Sequence, residues 1–173
     1  MPDRGGRHRS ALVVTVSNRA SAGVYADTSG PVVVEGLAGL GFVVDGPLVV
    51  PDGDPVEATL RDAVAAGYDV VVTNGGTGLT AADLTPERTA AVLDREIPGV
   101  AEAIRAAGVA AGVPTAVLSR GLAGVAGRTL IVNLPGSRGG ARDGVAVLAG
   151  FLTHAVDQLH GGDHPQPPAG AHG

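Results

Sequence analysis

Apolar residues along this chain alternate between short β-branched runs and longer stretches in which they recur every three or four positions. Residues 12–17 (LVVTVS), 70–72 (VVV) and 129–133 (TLIVN) are runs of the kind used by strands covered on both faces. Residues 42–50 predict another strand, interrupted by Gly46-Pro47 and so expected to bend or to lie at an edge. Residues 115–118 (TAVL) predict one more. Helices are predicted between them. One starts at a Thr28 or Ser29 cap, with Pro31 in its first turn, and stops at Gly39-Leu40-Gly41. Others span 56–66, 86–94, 99–107 and 140–160, the last carrying Val145, Leu148, Leu152 and Val156 as a core-facing stripe. The order β-α-β-α-β-α-α-β-β-α is that of an α/β three-layer sandwich around a mostly parallel sheet, with room for one antiparallel strand. Residues 1–10 read as a flexible arm, 11–160 as a single domain and 161–173 as a disordered Pro/Gly-rich tail.

Composition narrows the chemistry. Aromatic residues make up 2% of the 173 positions and Trp is absent, so the core must be Val, Leu, Ala and Ile. A net charge of -5 gives no overall attraction to nucleic acid or to an anionic membrane. The absence of Cys excludes disulfides, thiolate metal sites and a Cys nucleophile. No signal peptide or membrane-length apolar segment is seen, which predicts a cytoplasmic protein. All 12 basic residues are Arg, so a Walker A lysine and Schiff-base chemistry are both excluded. A bound phosphate must be held by backbone N–H groups, hydroxyls, Arg or a metal ion.

The richest interruption of the apolar pattern is at 68–87, YDVVVTNGGTGLTAADLTPE. A strand runs into Gly75-Gly76-Thr77-Gly78, then a lone acid, Asp83, then a helix start at Thr85-Pro86-Glu87 with Thr85 as cap. Glycines there let backbone N–H groups approach a phosphate, and the Thr77 hydroxyl adds a donor. The other strands also end in polar sequence: Ser17-Asn18-Arg19, Asp52, Ser119-Arg120 and Pro135-Gly136-Ser137. Open sheets place ligands beyond such ends, so the segments predict one composite site. Asp52 and Asp83 are candidates to hold Mg²⁺ against phosphate oxygens. Pro51-Asp52-Gly53 is equally a turn tripeptide; for Asp83 the competing role is a pre-helix cap, a place Thr85 also suits, and the functional reading is favoured. No dinucleotide fingerprint or nucleophile elbow is present, and His160, His164 and His172 read as tail composition rather than a metal site.

Several segments together resemble the Mog/MoaB family, the molybdopterin adenylyltransferases of molybdenum cofactor biosynthesis. They are GGTGLTAADLTPE at 75–87, VSNRASAGVYADTSGP at 16–31, VVPDGDP at 49–55, IPGVAEAIR at 97–105 and LSRGLAGVAGRTLIVNLPGS at 118–137. The resemblance implies transfer of AMP from Mg²⁺-bound ATP to molybdopterin, releasing pyrophosphate. It implies that Asp52 and Asp83 are essential, as metal ligands or as organisers of the phosphates. Gly75, Gly76, Thr77 and Gly78 match the loop that holds pterin and phosphates. Ser17, Glu102, Ser119, Asn133, Pro135, Gly136 and Ser137 match further ligand-binding positions. A trimer or hexamer, and a molybdate-insertion enzyme as partner, are implied in the same way. Departures are Asn18 for a frequent Asp, Ala82 for Arg, Arg138 for Pro, and the missing lysines, whose charge Arg19, Arg120 or Arg138 is expected to replace. A molybdopterin-binding or assembly protein without catalysis is the alternative reading.

Overall fold

The computed structural model of the chain describes residues 7–162. Six strands form one sheet: β1 (Ser10–Val16), β2 (Val43–Val50), β3 (Val70–Asn74), β4 (Arg95–Glu96), β5 (Ala123–Ala126) and β6 (Thr129–Leu134). Their order across the sheet is β2-β1-β3-β6-β5-β4. The β2–β1, β1–β3 and β3–β6 pairs are parallel, while β5 is antiparallel to both of its neighbours. The expected single antiparallel strand is therefore β5.

Helices are α1 (Asn18–Ser21), α2 (Gly30–Gly39), α3 (Asp54–Ala66), α4 (Thr85–Ala90), α5 (Pro98–Ala110), α6 (Arg138–Ala149) and α7 (Leu152–Leu159). Alternate residues of each central strand serve different layers, which is why the runs are apolar throughout. Ala11, Val13, Val70, Val72, Leu130 and Val132 pack with Val33, Ile104, Leu148 and Leu152 from α2, α5, α6 and α7. Leu12, Val14, Val71 and Ile131 pack on the other face with Val56 and Leu60 of α3. From β1 the chain passes to β2 on one side, then crosses by α3 to β3 on the other side. That reversal opens a crevice at the carboxyl ends of β1 and β3, where such sheets bind ligands.

Four local expectations are corrected. Residues 115–118 are not a strand: Pro114–Leu118 is an exposed turn of 3-10 helix, and the strand before β6 is Ala123–Ala126. The small side chains of AGVA carry too little apolar signal to show it. The long helix expected to 160 breaks at Gly150-Phe151 into α6 and α7. Thr85 is the first residue of α4 rather than its cap, which is Leu84. Ser29 stands at the N-cap of α2 but caps nothing; Asp27 accepts from the Ser29 and Gly30 N–H groups instead. Gly46-Pro47 lies in β2, the edge strand, as its chemistry predicts. No helix among the described residues is long and apolar enough to cross a membrane.

Within the segment expected as an arm, residues 7–10 are fixed by charge. Arg9 holds Asp157 at 2.9 and 3.1 Å, and Arg7 holds Asp69 at 2.7 Å. Residues 1–6 and 163–173, with the rest of the expected arm and nearly all of the expected tail, lie outside the described residues. Asp69 is 1% exposed and also accepts from the Ser10 N–H at 2.7 Å and from His160 Nε2 at 2.6 Å. His160 is thus part of a packed ion network on the domain. Burial raises the Asp69 carboxyl, but the Ser10 N–H, His160 and Arg7 outweigh it and leave it below the usual carboxylate range.

A carboxyl lowered on folding stabilises fully above its unfolded value, about 4, and loses that contribution as pH falls through the lower folded value. Asp69→Asn is expected to cost about 2 kcal/mol near neutral pH by urea denaturation. The deficit relative to wild type should shrink as pH falls below the unfolded carboxyl value, about 4. A deficit that stays constant over that range contradicts the assignment.

Candidate active site

Three strand ends converge on the glycine loop. Gly75 donates its N–H to Leu134 O at 3.0 Å and lies so close to β1 that a Cβ there would strike Val16 O. Gly75 and Gly76 have φ of 103° and 68°, in the left-handed region that glycine adopts without penalty. A Cβ on Gly76 would collide with Thr85 Oγ1 and Asp52 Oδ2, and one on Gly78 would come within 2.8 Å of Asp83 Oδ2. On the far side, a Cβ on Gly136 would stand 3.1 Å from Gly75 Cα. Gly75 and Gly76 are required by their positive φ and by the close approach of backbone, carboxylate and hydroxyl, while Gly78 and Gly136 stand tightly against the Asp83 side chain and Gly75.

Asp52 sits behind this loop. Its Oδ1 accepts from the Gly53 N–H at 2.8 Å and the Thr85 hydroxyl at 3.1 Å; its Oδ2 accepts from the Leu84 N–H at 3.0 Å. The carboxylate therefore ties the β2–α3 turn to the start of α4. Asn18, the first residue of α1, supports it, accepting the Asp52 N–H at 3.0 Å. Asp83 Oδ2 accepts from the Thr80 N–H at 3.0 Å and hydroxyl at 2.7 Å. Each oxygen of a carboxylate can accept about two bonds. Asp52 Oδ1 and Asp83 Oδ2 are thus filled, while Asp52 Oδ2 and Asp83 Oδ1 keep capacity. No group of three or more His, Asp or Glu among the described residues could hold a metal by itself. Asp52 Oδ2 and Asp83 Oδ1 are the carboxylate oxygens left to accept a cation, whose remaining ligands would come from phosphate and water.

Arg120 lies across the loop, donating to Gly78 O at 2.8 Å and Asp83 O at 2.7 Å and pairing with Glu87. The bond from Arg120 lowers the Glu87 carboxyl, and the same bond raises the guanidinium.

Two hollows flank the loop. One, of about 330 Å³, is bounded by Thr77, Gly78, Arg105, Ser119, Pro135 and Ser137, with Ile104 and Val113 making its wall apolar. The other, of about 280 Å³, is bounded by Ser17, Tyr25, Asp27, Gly75, Gly76 and Gly136. Most of the residues expected at the site thus gather around one loop, although Asp52 and Asp83 adjoin it without lining either hollow. Two others stand apart. Asn133 is 3% exposed, and its amide is spent on Thr73 Oγ1, Thr89 Oγ1 and the Leu122 N–H inside the fold. Glu102 lies on the exposed side of α5 and lines neither hollow.

Other lining groups escape sequence reading. Asp27 accepts the Thr15 hydroxyl at 2.7 Å, and the Asn74 amide donates to Ser29 Oγ at 2.7 Å. The signal for Asp27 was its spacing of three before Gly30, an Asx-type start to α2. Arg105, which donates to Ser119 O and Gly121 O, carried no local signal.

Residues 12–154 match the model of a probable molybdopterin binding domain. The chain is 36% identical over 155 residues to the molybdopterin adenylyltransferase of Helicobacter pylori (strain 26695), covering 86% of each. It is 37% identical over 159 residues to a molybdenum cofactor biosynthesis bifunctional protein of Chlorobaculum tepidum, covering 91% of this chain but half of that longer protein. The solved molybdopterin biosynthesis Mog protein of Mycobacterium ulcerans superposes with a TM-score of 0.85 at 52% identity, covering 90% of this chain and 99% of that one. With its sheet order and glycine loop in the same fold, the chain belongs to the molybdopterin-binding domain family of molybdenum cofactor biosynthesis.

Proposed function

We propose that the chain transfers AMP from ATP to the terminal phosphate of molybdopterin, with release of pyrophosphate. The observation that carries this is the rigid glycine loop standing between two hollows, one largely apolar and one polar. The family and the printed activity of the Helicobacter pylori relative support it. Each hollow is near the lower end of ordinary small-ligand sites, about 300 Å³ upward, which suits the halves of a nucleotide and a pterin.

The reaction joins a phosphate oxygen of molybdopterin to the α-phosphorus of ATP and breaks the bond from that phosphorus to the bridging oxygen. Pyrophosphate leaves with that electron pair. Such a step asks the protein for alignment and charge compensation more than for covalent chemistry. The N–H groups of residues 76–78 and the Thr77 hydroxyl are the donors at hand. Mg²⁺, when bound with ATP, would neutralise phosphate charge, and Asp52 Oδ2 and Asp83 Oδ1 would hold it. Arg120 is committed to the loop and to Glu87, so Arg105 in the wall of the apolar hollow and the exposed Arg19 and Arg138 are the guanidiniums left to meet phosphate. The same reading carries a homo-oligomer, supported by the exposed apolar Val109 and Val117. A monomer mass by light scattering would contradict that part.

Incubated with ATP, Mg²⁺ and molybdopterin, the protein is expected to release pyrophosphate. Asp83→Asn should lower kcat roughly 100-fold while leaving the molybdopterin dissociation constant within about threefold of wild type. Tight pterin binding by the wild-type chain without pyrophosphate release would favour the non-catalytic reading.

A further inference from the structure

The excursion at residues 79–82 is all exposed, with Leu79 at 65%, and Thr80 bonds only back to Asp83. Asp52 holds the chain after this excursion through the Leu84 N–H, which leaves Gly78 and Asp83 themselves to a second brace. Arg120 is placed to be that brace. Its backbone N–H donates to Thr77 O at 2.9 Å. Its Nε and Nη2 donate to Gly78 O and Asp83 O at 2.8 and 2.7 Å, closing both ends of the excursion with one planar group. Its Nη1 pairs with Glu87, which anchors the guanidinium to α4. The segment bearing Arg120 is itself held. Arg105 of α5 donates to Ser119 O and Gly121 O at 3.3 and 3.2 Å, and Asn133 Oδ1 accepts the Leu122 N–H at 3.0 Å.

We infer that Arg120 is a positioning residue. It sets the Gly78 N–H and the Asp83 carboxylate in register with bound phosphates and does not itself bind phosphate. In a chain without lysine a guanidinium beside a glycine loop invites the opposite assignment. The donor count weighs against it, leaving one N–H, on Nη1, outside these contacts. Of five N–H groups, Nε, one on Nη1 and one on Nη2 are taken by these partners, and the second on Nη2 lies 3.5 Å from Glu87 Oε2. The role depends on the fork. A lysine ammonium keeps the charge but cannot present parallel donors to two carbonyls while pairing with an acid.

The catalytic consequence rests on the adenylyl-transfer reading; the ordering of the loop does not. The full chain and its Arg120→Lys and Arg120→Gln variants are compared by hydrogen–deuterium exchange and by steady-state pyrophosphate release. Both variants are expected to exchange about tenfold faster over residues 78–85, with the rest of the sheet unchanged. Both should lose roughly 10- to 100-fold in kcat, with KM for ATP within about threefold of wild type. Wild-type kcat in Arg120→Lys, or a raised KM with kcat intact, would make Arg120 a phosphate-binding charge and overturn the inference. Absence of pyrophosphate release from wild type would sink the function reading alone. The exchange data then decide, and unchanged protection of 78–85 in Arg120→Gln overturns the positioning role.

Discussion

A carboxylate placed under a glycine is the constraint on which this site depends. Asp52 reaches from the end of β2 to the Leu84 N–H and the Thr85 hydroxyl, and it passes where a side chain on Gly76 would be. The contact joins two chain segments more than thirty residues apart and fixes the loop that connects β3 to α4. Charged acceptors make stronger bonds than neutral ones, so the brace is firm for its size. The loop backbone can then present N–H groups in one arrangement, a condition for tight and selective anion binding at low entropic cost.

Fold and chemistry meet at the reversal in strand order. Because β1 sends the chain to β2 and receives β3 on its other side, the ends of β1, β3 and β6 are forced together. Val16 O, Gly75 and Leu134 O touch there, leaving room only for glycine. The polar groups next to this point satisfy one another: Thr15 with Asp27, Asn74 with Ser29, Asn133 with Thr73 and Thr89. No buried side-chain polar atom among the described residues lacks a partner. Phosphoryl transfer rewards fixed geometry of this kind.

Much of this was legible in the sequence, for identifiable reasons. Val70, Val71 and Val72 announce a strand because both faces of the central sheet are covered, so every position is apolar. Gly75 and Gly76 announce a tight loop because their positive φ and close neighbours leave no room for a side chain. Ala123–Ala126 stayed hidden because small residues fill the gap beneath α5 and give no periodic signal. The motif match placed Asn133 among ligand-binding positions, yet its amide is consumed within the fold, a fact that depends on Thr89 from α4. The bonds from Arg120 to Gly78 and Asp83 span 42 and 37 positions. No local pattern encodes a contact of that separation; it follows from the fold bringing the 119–121 segment over the loop.

The most direct test is calorimetric titration of ATP with Mg²⁺ into Gly76→Ala, its native secondary structure verified by circular dichroism. The added methyl meets both a positive φ, costing about 1–2 kcal/mol, and the Asp52 and Thr85 oxygens. If a loop locked over Asp52 holds the phosphates, affinity falls at least about tenfold while the sheet stays folded. Binding of ATP by the folded variant with wild-type affinity would contradict the account.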